Sequence, residues 1–269
     1  MNILVCIKQV PDTTEIKIDP VTNTLIRAGV PSIVNPFDAY ALEAAARIKD
    51  KDKDTKIVVV SMGPEQAKAA LKECIGIAAD KAYLVSGRKF GGSDTLATSY
   101  ILSNAVKKIE ETEGKFDAIF CGKQAIDCDT AQVGPEIAEH LDYPQVTYGL
   151  EAEVVDAGTI NIKKETEDGA EIIQIKTPCV VTFTKPSFDP RFANVRRKMM
   201  ANRAVIPTIT DDDMDGIIDW TKCGLKGSPT HVKSTFVPAK KTGGLKIQEE
   251  TAADSAKKLF GILTDEKIL

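Results

Sequence analysis

The sequence predicts an α/β protein built on a mostly parallel, doubly wound sheet, with an antiparallel β extension and a C-terminal arm. Three strand-like runs, at 56–61, 82–85 and 116–121, are apolar along their whole length, and helical patterns separate them. Strands that are apolar on both faces are typical of parallel sheets that helices cover on each side. From residue 145 the pattern changes to short strands separated by Asp/Gly turns, which are hairpin signals.

These changes of pattern divide the chain into two predicted regions. Residues 1–210 are expected to form the α/β domain, with a short hairpin at 16–26 and an antiparallel section of the same sheet at 145–185. Residues 211–269 have little regular pattern before a helical stretch at about 251–263. A segment with so little core of its own needs a surface to lie against, so we predict an arm that packs on a partner subunit. A disordered tail is the alternative.

The composition fits a soluble globular protein and argues against several other classes. The 269 residues are 43% hydrophobic and 28% charged, and their net charge of −4 gives nucleic acid or an anionic membrane no electrostatic attraction. No apolar run approaches the roughly 20 residues of a membrane span. The six cysteines lack C-x-x-C spacing and only two histidines accompany them, so no metal cluster is expected. We expect reduced thiols in a cytoplasmic protein.

A long glycine-bounded loop at 122–134 is the strongest candidate for a binding site. An apolar strand at 118–121 leads into it, and a helical pattern follows it. In an open parallel sheet, ligands bind at the carboxyl ends of strands, where the next helix N-terminus offers free amides to an anion. Gly122 and Gly134 would let the backbone approach a ligand, and Lys123 adds a positive charge suited to phosphate.

Two carboxylates in this loop, Asp127 and Asp129, bear on which ligand fits. They would repel a bare phosphate, but they suit ribose hydroxyls or the amides of the loop itself. A nucleotide, which has both sugar and phosphate, satisfies both halves of the loop and predicts a nucleotide-binding, Rossmann-like domain. The alternative is a polar loop without a ligand, because the pattern matches neither a Walker A nor a GxGxxG motif.

A helix start near residue 35 is predicted to face the same edge of the sheet. Asn35 is expected as the N-cap, Pro36 at the first helical position and Asp38 in the first turn. Helix N-termini in such folds point toward the binding edge. Further along, the run at 195–200 combines three cations with two methionines. It is typical of a solvated helix face or, alternatively, of a partner contact.

Short motifs spread over residues 1–205 carry a family resemblance. They are VCIKQV at 5–10, VNPFD at 34–38, VSMGP at 60–64, GKQAID at 122–127, the acidic turn KETEDG at 164–169 with PCVVT at 178–182, and DPRFA at 189–193. In this order they resemble the beta subunit of electron-transferring flavoprotein. The tail carries no diagnostic motif of that family.

The resemblance implies a heterodimer with an alpha subunit that holds one FAD. The beta subunit of this family carries a second nucleotide, which is AMP in the simple electron carriers and FAD in the electron-bifurcating group. Carried over by position, the residues that hold its adenylate half would be Cys6, Asn35, Asp38, Met62, Gly122, Lys123, Gln124, Ala125, Ile126, Asp127, Asp129, Thr130, Gln132, Val133 and Gly134.

The segment at 190–200 matches the recognition loop with which this family docks on acyl-CoA dehydrogenases. The resemblance therefore favours the partner contact over the solvated helix face. The contact residues it implies are Arg191, Phe192, Val195, Arg196, Arg197 and Met199.

The stretch 88–99 is expected to decide between AMP and FAD. A flavin extends past the adenylate, so its site needs additional room and additional hydrogen bonds. The glycine pair at 91–92 would give the room, and Ser93 would cap the helix that follows. From the residues alone, an ordinary glycine loop before a helix is the alternative. Similarity to the bifurcating members favours FAD, with contacts from Arg88, Asp94, Thr95 and Thr98.

The function that the resemblance implies is electron bifurcation. NADH would deliver a hydride to the FAD of this subunit. One electron would pass to the alpha-subunit FAD and on to an acyl-CoA dehydrogenase, and the other to ferredoxin or flavodoxin. The protein would position the flavin and tune its potential, and no residue is predicted as a general acid, base or nucleophile. Two alternatives stay open: a non-bifurcating carrier subunit that binds AMP structurally, and a stand-alone α/β nucleotide-binding protein.

Overall fold

The structure, a computed structural model, describes residues 1–12, 31–233 and 243–269. The hairpin predicted at 16–26 lies outside these residues. The described chain falls into two units: the first continues as far as Lys233, and the second contains 243–269.

A nine-stranded sheet forms the centre of the first unit. Nine of the eleven strands of the described residues belong to this sheet, and β2 and β3 do not. The eleven are β1 (Asn2–Cys6), β2 (Gln9–Pro11), β3 (Ser32–Val34), β4 (Lys56–Met62), β5 (Lys81–Val85), β6 (Ala118–Gly122), β7 (Gln145–Asp156), β8 (Thr159–Thr166), β9 (Gly169–Lys176), β10 (Cys179–Phe183) and β11 (Thr208–Ile209). The strand order is β11-β5-β4-β1-β6-β10-β7-β8-β9, while β2 and β3 form a separate antiparallel ribbon. Neighbours from β11 to β7 are parallel, and β7, β8 and β9 are antiparallel.

Helices cover both faces of this sheet. They are α1 (Pro36–Lys51), α2 (Lys68–Ile77), α3 (Thr95–Glu113), α4 (Val133–Leu141), α5 (Val195–Arg203) and α6 (Gly224–Gly227), with 3-10 turns at Glu65–Ala67, Arg88–Phe90, Asp212–Met214 and Trp220–Lys222. The side chains of β1 alternate between two apolar cores. Ile3 and Val5 pack with α1 and α2, whereas Leu4 packs with α3 and α4. The predicted fold class, a doubly wound α/β sheet with an antiparallel extension, is confirmed.

The strand order also places the candidate site. From β1 the chain passes to β4 on one side and returns later to β6 on the other side. The carboxyl ends of β1 and β6 therefore flank the switch point of the sheet, which is where open α/β sheets bind ligands. The loop 122–134 begins at this point.

The predicted antiparallel section at 145–185 is right for β7, β8 and β9 and wrong for β10. This strand lies between β6 and β7 and is parallel to both. All five of its residues are buried. A strand buried on both faces suits the centre of a parallel sheet, whereas the extension is half exposed.

The predicted boundary at 210 also needs correction, because the chain beyond it still belongs to the first unit. β11 pairs with β5 at the edge of the sheet. Downstream, Met214, Ile218 and Cys223 are buried in the core that faces α3. Residues 211–233 therefore lie against their own domain and are not part of a separate arm.

The second unit contains α7 (Ala252–Asp265), where the sequence predicts a helix. Thr251 caps it by accepting a hydrogen bond of 3.1 Å from the amide of Asp254. In the structure described here α7 has no buried side chain, and Phe260 is 62% exposed. Among the helices of residues 1–12, 31–233 and 243–269, none has the length and apolar composition needed to cross a membrane.

Candidate functional site

Two side chains at the start of α1 join the exits of β1 and β6. The buried carboxylate of Asp38 accepts hydrogen bonds from the amide of Lys8 (2.6 Å) and from the amide of Gly122 (3.2 Å). It also accepts one from the side-chain amide of Asn35, at 2.9 Å. Asp38 thereby connects β1, α1 and β6 at the switch point.

Asn35 occupies the predicted N-cap position, but its side chain accepts no hydrogen bond from a backbone amide of α1. Its Oδ1 accepts the amide of Ile126 at 3.2 Å, and its Nδ2 donates to the carbonyl of Gln124 at 2.8 Å. The predicted capping role of the side chain is therefore wrong. Asn35 instead holds the loop 122–134 in place from the start of α1.

The two glycines of the loop have a different role from the predicted approach to a ligand. A Cβ at Gly122 would collide with Asp38 Oδ1 and lie 2.7 Å from Asp38 N. A Cβ at Gly134 would lie 2.5 Å from Thr182 Cγ2. Both positions require glycine because the neighbouring helix and strand occupy the space, so these glycines permit close packing within the protein.

The charges of the loop are largely compensated within the chain. Asp127, whose side chain is 4% exposed, forms an ion pair of 2.6 Å with Lys8. Asp129 accepts a hydrogen bond of 2.8 Å from Gln124 Nε2. The expected repulsion between these carboxylates and a phosphate is therefore reduced. The ammonium of Lys123 lies over two aromatic rings, 5.3 Å from the centroid of Phe37 and 5.2 Å from that of Tyr148.

The second half of the loop presents unpaired amides to the crevice. Within the ranges that the structure describes, the backbone amides of Thr130, Ala131 and Gln132 have no protein acceptor. Asp129 and Ala131 have left-handed φ values of 53° and 56°, and Gln132 is right-handed. A left-handed residue followed by a right-handed one, as at Ala131 and Gln132, is typical of an anion-binding nest, and this loop leads directly into the N-terminus of α4. These residues fit a phosphate group.

The remaining residues predicted for the adenylate half lie around the same edge. Cys6 ends β1, at the switch point, and Met62 ends β4, the neighbour of β1 on the other side, and both side chains are half-buried. Ala125 accepts the amides of Cys128 and Asp129 in the turn that shapes the loop. The structure thus brings the predicted adenylate residues together at one edge of the sheet.

The start of α3 differs from the prediction in two ways. Asp94 is the N-cap, and its Oδ1 accepts the amide of Ala97 at 3.0 Å. Ser93 instead donates its hydroxyl hydrogen to the carbonyl of Phe90. The room expected at the glycine pair 91–92 is taken by the chain itself, since a Cβ at Gly92 would lie 3.2 Å from Leu225 Cβ.

A hydroxyl contact joins this helix start to the loop. Thr95 Oγ1 lies 3.1 Å from Gln132 Oε1 and 3.2 Å from Glu136 Oε1. The N-termini of α3 and α4 therefore converge at the binding edge, where both helix dipoles favour an anion. Thr98 lies one turn into α3 and is half-buried, and Arg88 is exposed on the preceding 3-10 turn.

A concavity of about 760 Å³ lies away from this site. It is bounded by α1 and the hairpin of β7 and β8. Its charged groups pair with one another, as in Lys51–Glu153 at 2.7 Å and Lys163–Glu151 at 3.0 Å. Because its charges are already matched, we do not assign the nucleotide to it.

The segment predicted for docking exposes an apolar patch. Phe192 is 95% exposed, Val195 79% and Met199 55%. Arg196 is also exposed and, with Val195, Met199, Met200 and Arg203, it lines a concavity of about 480 Å³. Methionine side chains adapt to the shape of a partner, so this patch is suited to docking.

Two arginines predicted as partner contacts are instead bound within the chain. Arg191 donates to both carboxylate oxygens of Glu43 (2.8 and 3.1 Å) and to Asp50 (2.7 Å). Arg197 donates to the carbonyls of Ile75 and Ala79 at the end of α2, at 2.8–3.2 Å. Both guanidinium groups therefore hold the docking segment against α1 and α2.

Sequence reasoning missed Lys8, Gln132's link to Thr95, and the aromatic rings beside Lys123. Lys8 lies inside the VCIKQV motif, directly after β1, so its place at the carboxyl edge was a usable signal. The pairing of Lys8 with Asp127 could not be predicted from the sequence, because 119 positions separate the two residues.

Asp38 makes the strand exits sensitive to pH. Burial raises the pKa of Asp38 to about 7, although its hydrogen bonds from Asn35, Lys8 and Gly122 favour the ionised form. A carboxyl whose pKa is higher in the folded state stabilises the fold below its unfolded pKa near 3.8, and this contribution is lost as pH rises to about 7.

The variant Asp38→Asn is therefore expected to flatten the pH dependence of stability. Between pH 4 and pH 7, the unfolding free energy of the unsubstituted protein should fall relative to the variant by up to about 1.4 kcal/mol per pH unit. Above pH 7 the difference should be constant. Urea unfolding at each pH measures this, and parallel profiles for the two proteins would contradict it.

Comparison with known proteins decides the family. The model of the electron transfer flavoprotein domain matches residues 22–214, more than half of the chain. The chain belongs to the electron transfer flavoprotein family. The family expected from the motifs is confirmed, and it is a family of flavin-associated electron-transfer proteins.

Relatives within the electron transfer flavoprotein family cover nearly the whole chain. The electron transfer flavoprotein subunit beta of Megasphaera elsdenii is 50% identical over 258 residues, 95% of this chain and 94% of the relative. That of Clostridium acetobutylicum is 49% identical over 262 residues, 96% and 98% of the two chains. The caffeyl-CoA reductase-Etf complex subunit CarD of Acetobacterium woodii is 45% identical over 269 residues, the full length of both chains.

Proposed function

We propose that this chain is the beta subunit of an electron-transferring flavoprotein of the bifurcating group and that it binds FAD in the crevice between β1 and β6. The observation that carries nucleotide binding in this proposal is the set of amides at Thr130, Ala131 and Gln132, which have no acceptor among the described residues and lead into the N-terminus of α4. A dinucleotide pyrophosphate matches this set of donors.

In this proposal the residues of the crevice have separate tasks. The amides of 130–134 hold the phosphate groups, and the ends of β1 and β4, at Cys6 and Met62, border the adenylate. Asn35 and Asp38 act on the nucleotide only through the loop, because their side chains are already bound to backbone groups. The start of α3 faces the portion beyond the adenylate.

The part of FAD beyond the adenylate, at the start of α3, is the flavin. When bound, FAD supplies hydride and single-electron chemistry. The contributions of this chain are Arg88, Thr95 and Thr98, together with the dipole of α3, whose positive end favours negative charge on a nearby ring. These residues position the ring and favour its reduced, anionic form. We propose NADH as the electron donor.

The proposal includes partners. The relatives named subunit beta and the subunit named within a caffeyl-CoA reductase-Etf complex support a heterodimer with an alpha subunit. We propose that this heterodimer bifurcates electrons to ferredoxin or flavodoxin. The apolar patch of Phe192, Val195 and Met199 is proposed to dock on an acyl-CoA dehydrogenase, and the second unit, with α7, to pack on the alpha subunit as an arm. We place this assembly in the cytoplasm.

A second candidate is a non-bifurcating carrier in which the same crevice binds AMP. It is favoured by one observation: the space at Gly92 is filled by Leu225, so the glycine pair does not provide the room that a flavin was expected to need. The nest serves either nucleotide, because both carry phosphate. The stand-alone alternative loses support, since the relatives are named as subunits.

Nucleotide content distinguishes the two candidates. The chain would be co-expressed with its alpha subunit, and the purified heterodimer would be acid-extracted and its flavin and AMP quantified. Two flavins per heterodimer and no AMP are expected. One flavin with one AMP would overturn the FAD assignment in favour of the carrier, and absence of any nucleotide from this subunit would overturn both candidates.

A further inference from the structure

Residues 211–230, which we call the strap, pack on the loop between β5 and α3. The two segments approach so closely that glycines are required on both sides. A Cβ at Gly87 would lie 2.7 Å from Asp211 Oδ1. Gly224, with a left-handed φ of 61°, has no room for a Cβ beside the carbonyl of Lys89. The strap is therefore fitted to this loop along its length.

Aromatic and charged side chains add to this contact. Trp220 stacks on Phe90 with ring centroids 5.9 Å apart and an interplanar angle of 24°. The ammonium of Lys89 lies 4.2 Å from the centroid of the Trp220 ring and 3.7 Å from Asp215. Trp220 Nε1 donates to the same Asp215 at 2.9 Å. The centre of the strap is thereby fixed on the 3-10 turn that contains Arg88.

The end of the strap bonds the N-cap of α3. Ser228, only 3% exposed, accepts the amide of Asp94 at 2.8 Å and donates to the carbonyl of Gly224 at 2.7 Å. Thr230 donates to Asp94 Oδ2 from its amide (3.0 Å) and from its hydroxyl (2.7 Å). Asp94 Oδ1 meanwhile caps α3 through Ala97. One carboxylate thus joins the strap to the helix start.

The electrostatics agree with this geometry. Partial burial would raise the pKa of Asp94, but hydrogen bonds from the amide of Ala97 and from the amide and hydroxyl of Thr230 hold it below its usual value. The carboxylate stays ionised and accepts all of these donors at once. Directly after it, Thr95 contacts Gln132 of the loop that bears the amide nest.

We propose that Ser228 and Thr230 are positioning residues that select FAD over AMP. By fixing Asp94 they fix the N-terminus of α3, and with it Thr95, against the part of the nucleotide beyond the adenylate. The adenylate and its phosphate depend on the loop 122–134, which the strap does not contact through these residues. The inference rests on the proposed FAD function of the same crevice.

The test compares two ligands on one set of heterodimers. The variants are Ser228→Ala, Thr230→Val and the double substitution, each stripped of nucleotide and titrated with FAD and with AMP. Loss of either hydrogen bond, from Ser228 to the Asp94 amide or from Thr230 to its carboxylate, should weaken FAD binding about tenfold. The affinity for AMP should stay within about twofold of that of the unsubstituted protein. Thr230→Ser keeps the hydroxyl and should restore FAD affinity.

The control variant is Thr221→Val, in the same strap. The Thr221 hydroxyl bonds Asp219 within the strap, at 2.7 Å, and does not reach α3. It should leave both affinities unchanged. Equal losses for AMP and FAD, or no loss for FAD, would overturn the positioning role while leaving the FAD function intact. A parent heterodimer that takes up AMP but no FAD at this site would overturn the FAD function, and this inference with it.

Discussion

Replacing Gly122 by alanine is expected to remove nucleotide binding and to destabilise the fold by about 3 kcal/mol. The new methyl group would meet Asp38 Oδ1, Asp38 N and the carbonyl carbon of Phe37, which lies 2.8 Å from the ideal Cβ position. Two of these three atoms belong to the backbone of α1, so movement of the Asp38 side chain alone cannot relieve the clash. Relief requires α1 to shift from β6, which breaks the bonds from Asp38 to both strand exits.

Two measurements check this prediction: urea unfolding of the purified chain, and the nucleotide content of the heterodimer. Gly158→Ala is the matched control, because a Cβ there would lie 3.8 Å from Asp156 Oδ1, an ordinary contact. It should change the unfolding free energy by less than about 0.5 kcal/mol. A Gly122→Ala protein with full stability and full nucleotide content would show that the contact between α1 and β6 is not needed to shape the crevice.

Replacing Arg191 by alanine is expected to destabilise the chain by about 3 kcal/mol, because it removes a partner from a buried charge. The Glu43 side chain is 4% exposed. Burial alone would raise the pKa of Glu43, yet hydrogen bonds from Arg191 and Arg47 keep it below its usual value. After the substitution Arg47 and the backbone amide of residue 191 still donate to Glu43, but the hydrogen bonds and the charge of the Arg191 guanidinium are lost, so the carboxylate is poorly compensated.

The same variant should weaken docking. Arg191 precedes the exposed Phe192 and ties the segment to α1, so its loss should free the patch and lower the affinity for the proposed partner, an acyl-CoA dehydrogenase, about tenfold. Asp50→Asn is the control: it removes the other partner of Arg191, but the Asp50 side chain is 54% exposed, and a loss below about 1 kcal/mol is expected. If Arg191→Ala lost stability but docked normally, the segment would not need this anchor.

The fold was largely predictable because the relevant signals are local. Strands apolar on both faces, alternating with helices, identify a parallel sheet without knowledge of any contact. The errors arise where the local hydrophobic pattern does not determine which strands pair. β10 follows a hairpin in sequence, so it was predicted as part of the antiparallel section, whereas its buried residues lie beside β6 in a parallel pairing. The strap lacks periodicity, because its packing on 87–94 uses single side chains such as Trp220.

The site was predictable in location but less so in the roles of its residues. A strand, a glycine-bounded loop and a helix N-terminus identify the binding edge from sequence. Which atoms remain free depends on partners far along the chain, such as Asp127 with Lys8 and Ile126 with Asn35. Gly122 and Gly134 were correctly singled out, yet the space beside them belongs to Asp38 and Thr182. Sequence shows that a Cβ is absent but does not show what replaces it.

The insertion of β10 has a consequence for biosynthesis. Until the ribosome has released residues 179–183, one edge of β6 has no neighbour, and a bare edge in a nascent parallel sheet is prone to aggregation. The amide of Lys123 also bonds the carbonyl of Phe183, at 2.7 Å. The crevice therefore acquires its final shape only after about two thirds of the polypeptide has emerged, and co-translational capture of a nucleotide before then is not expected.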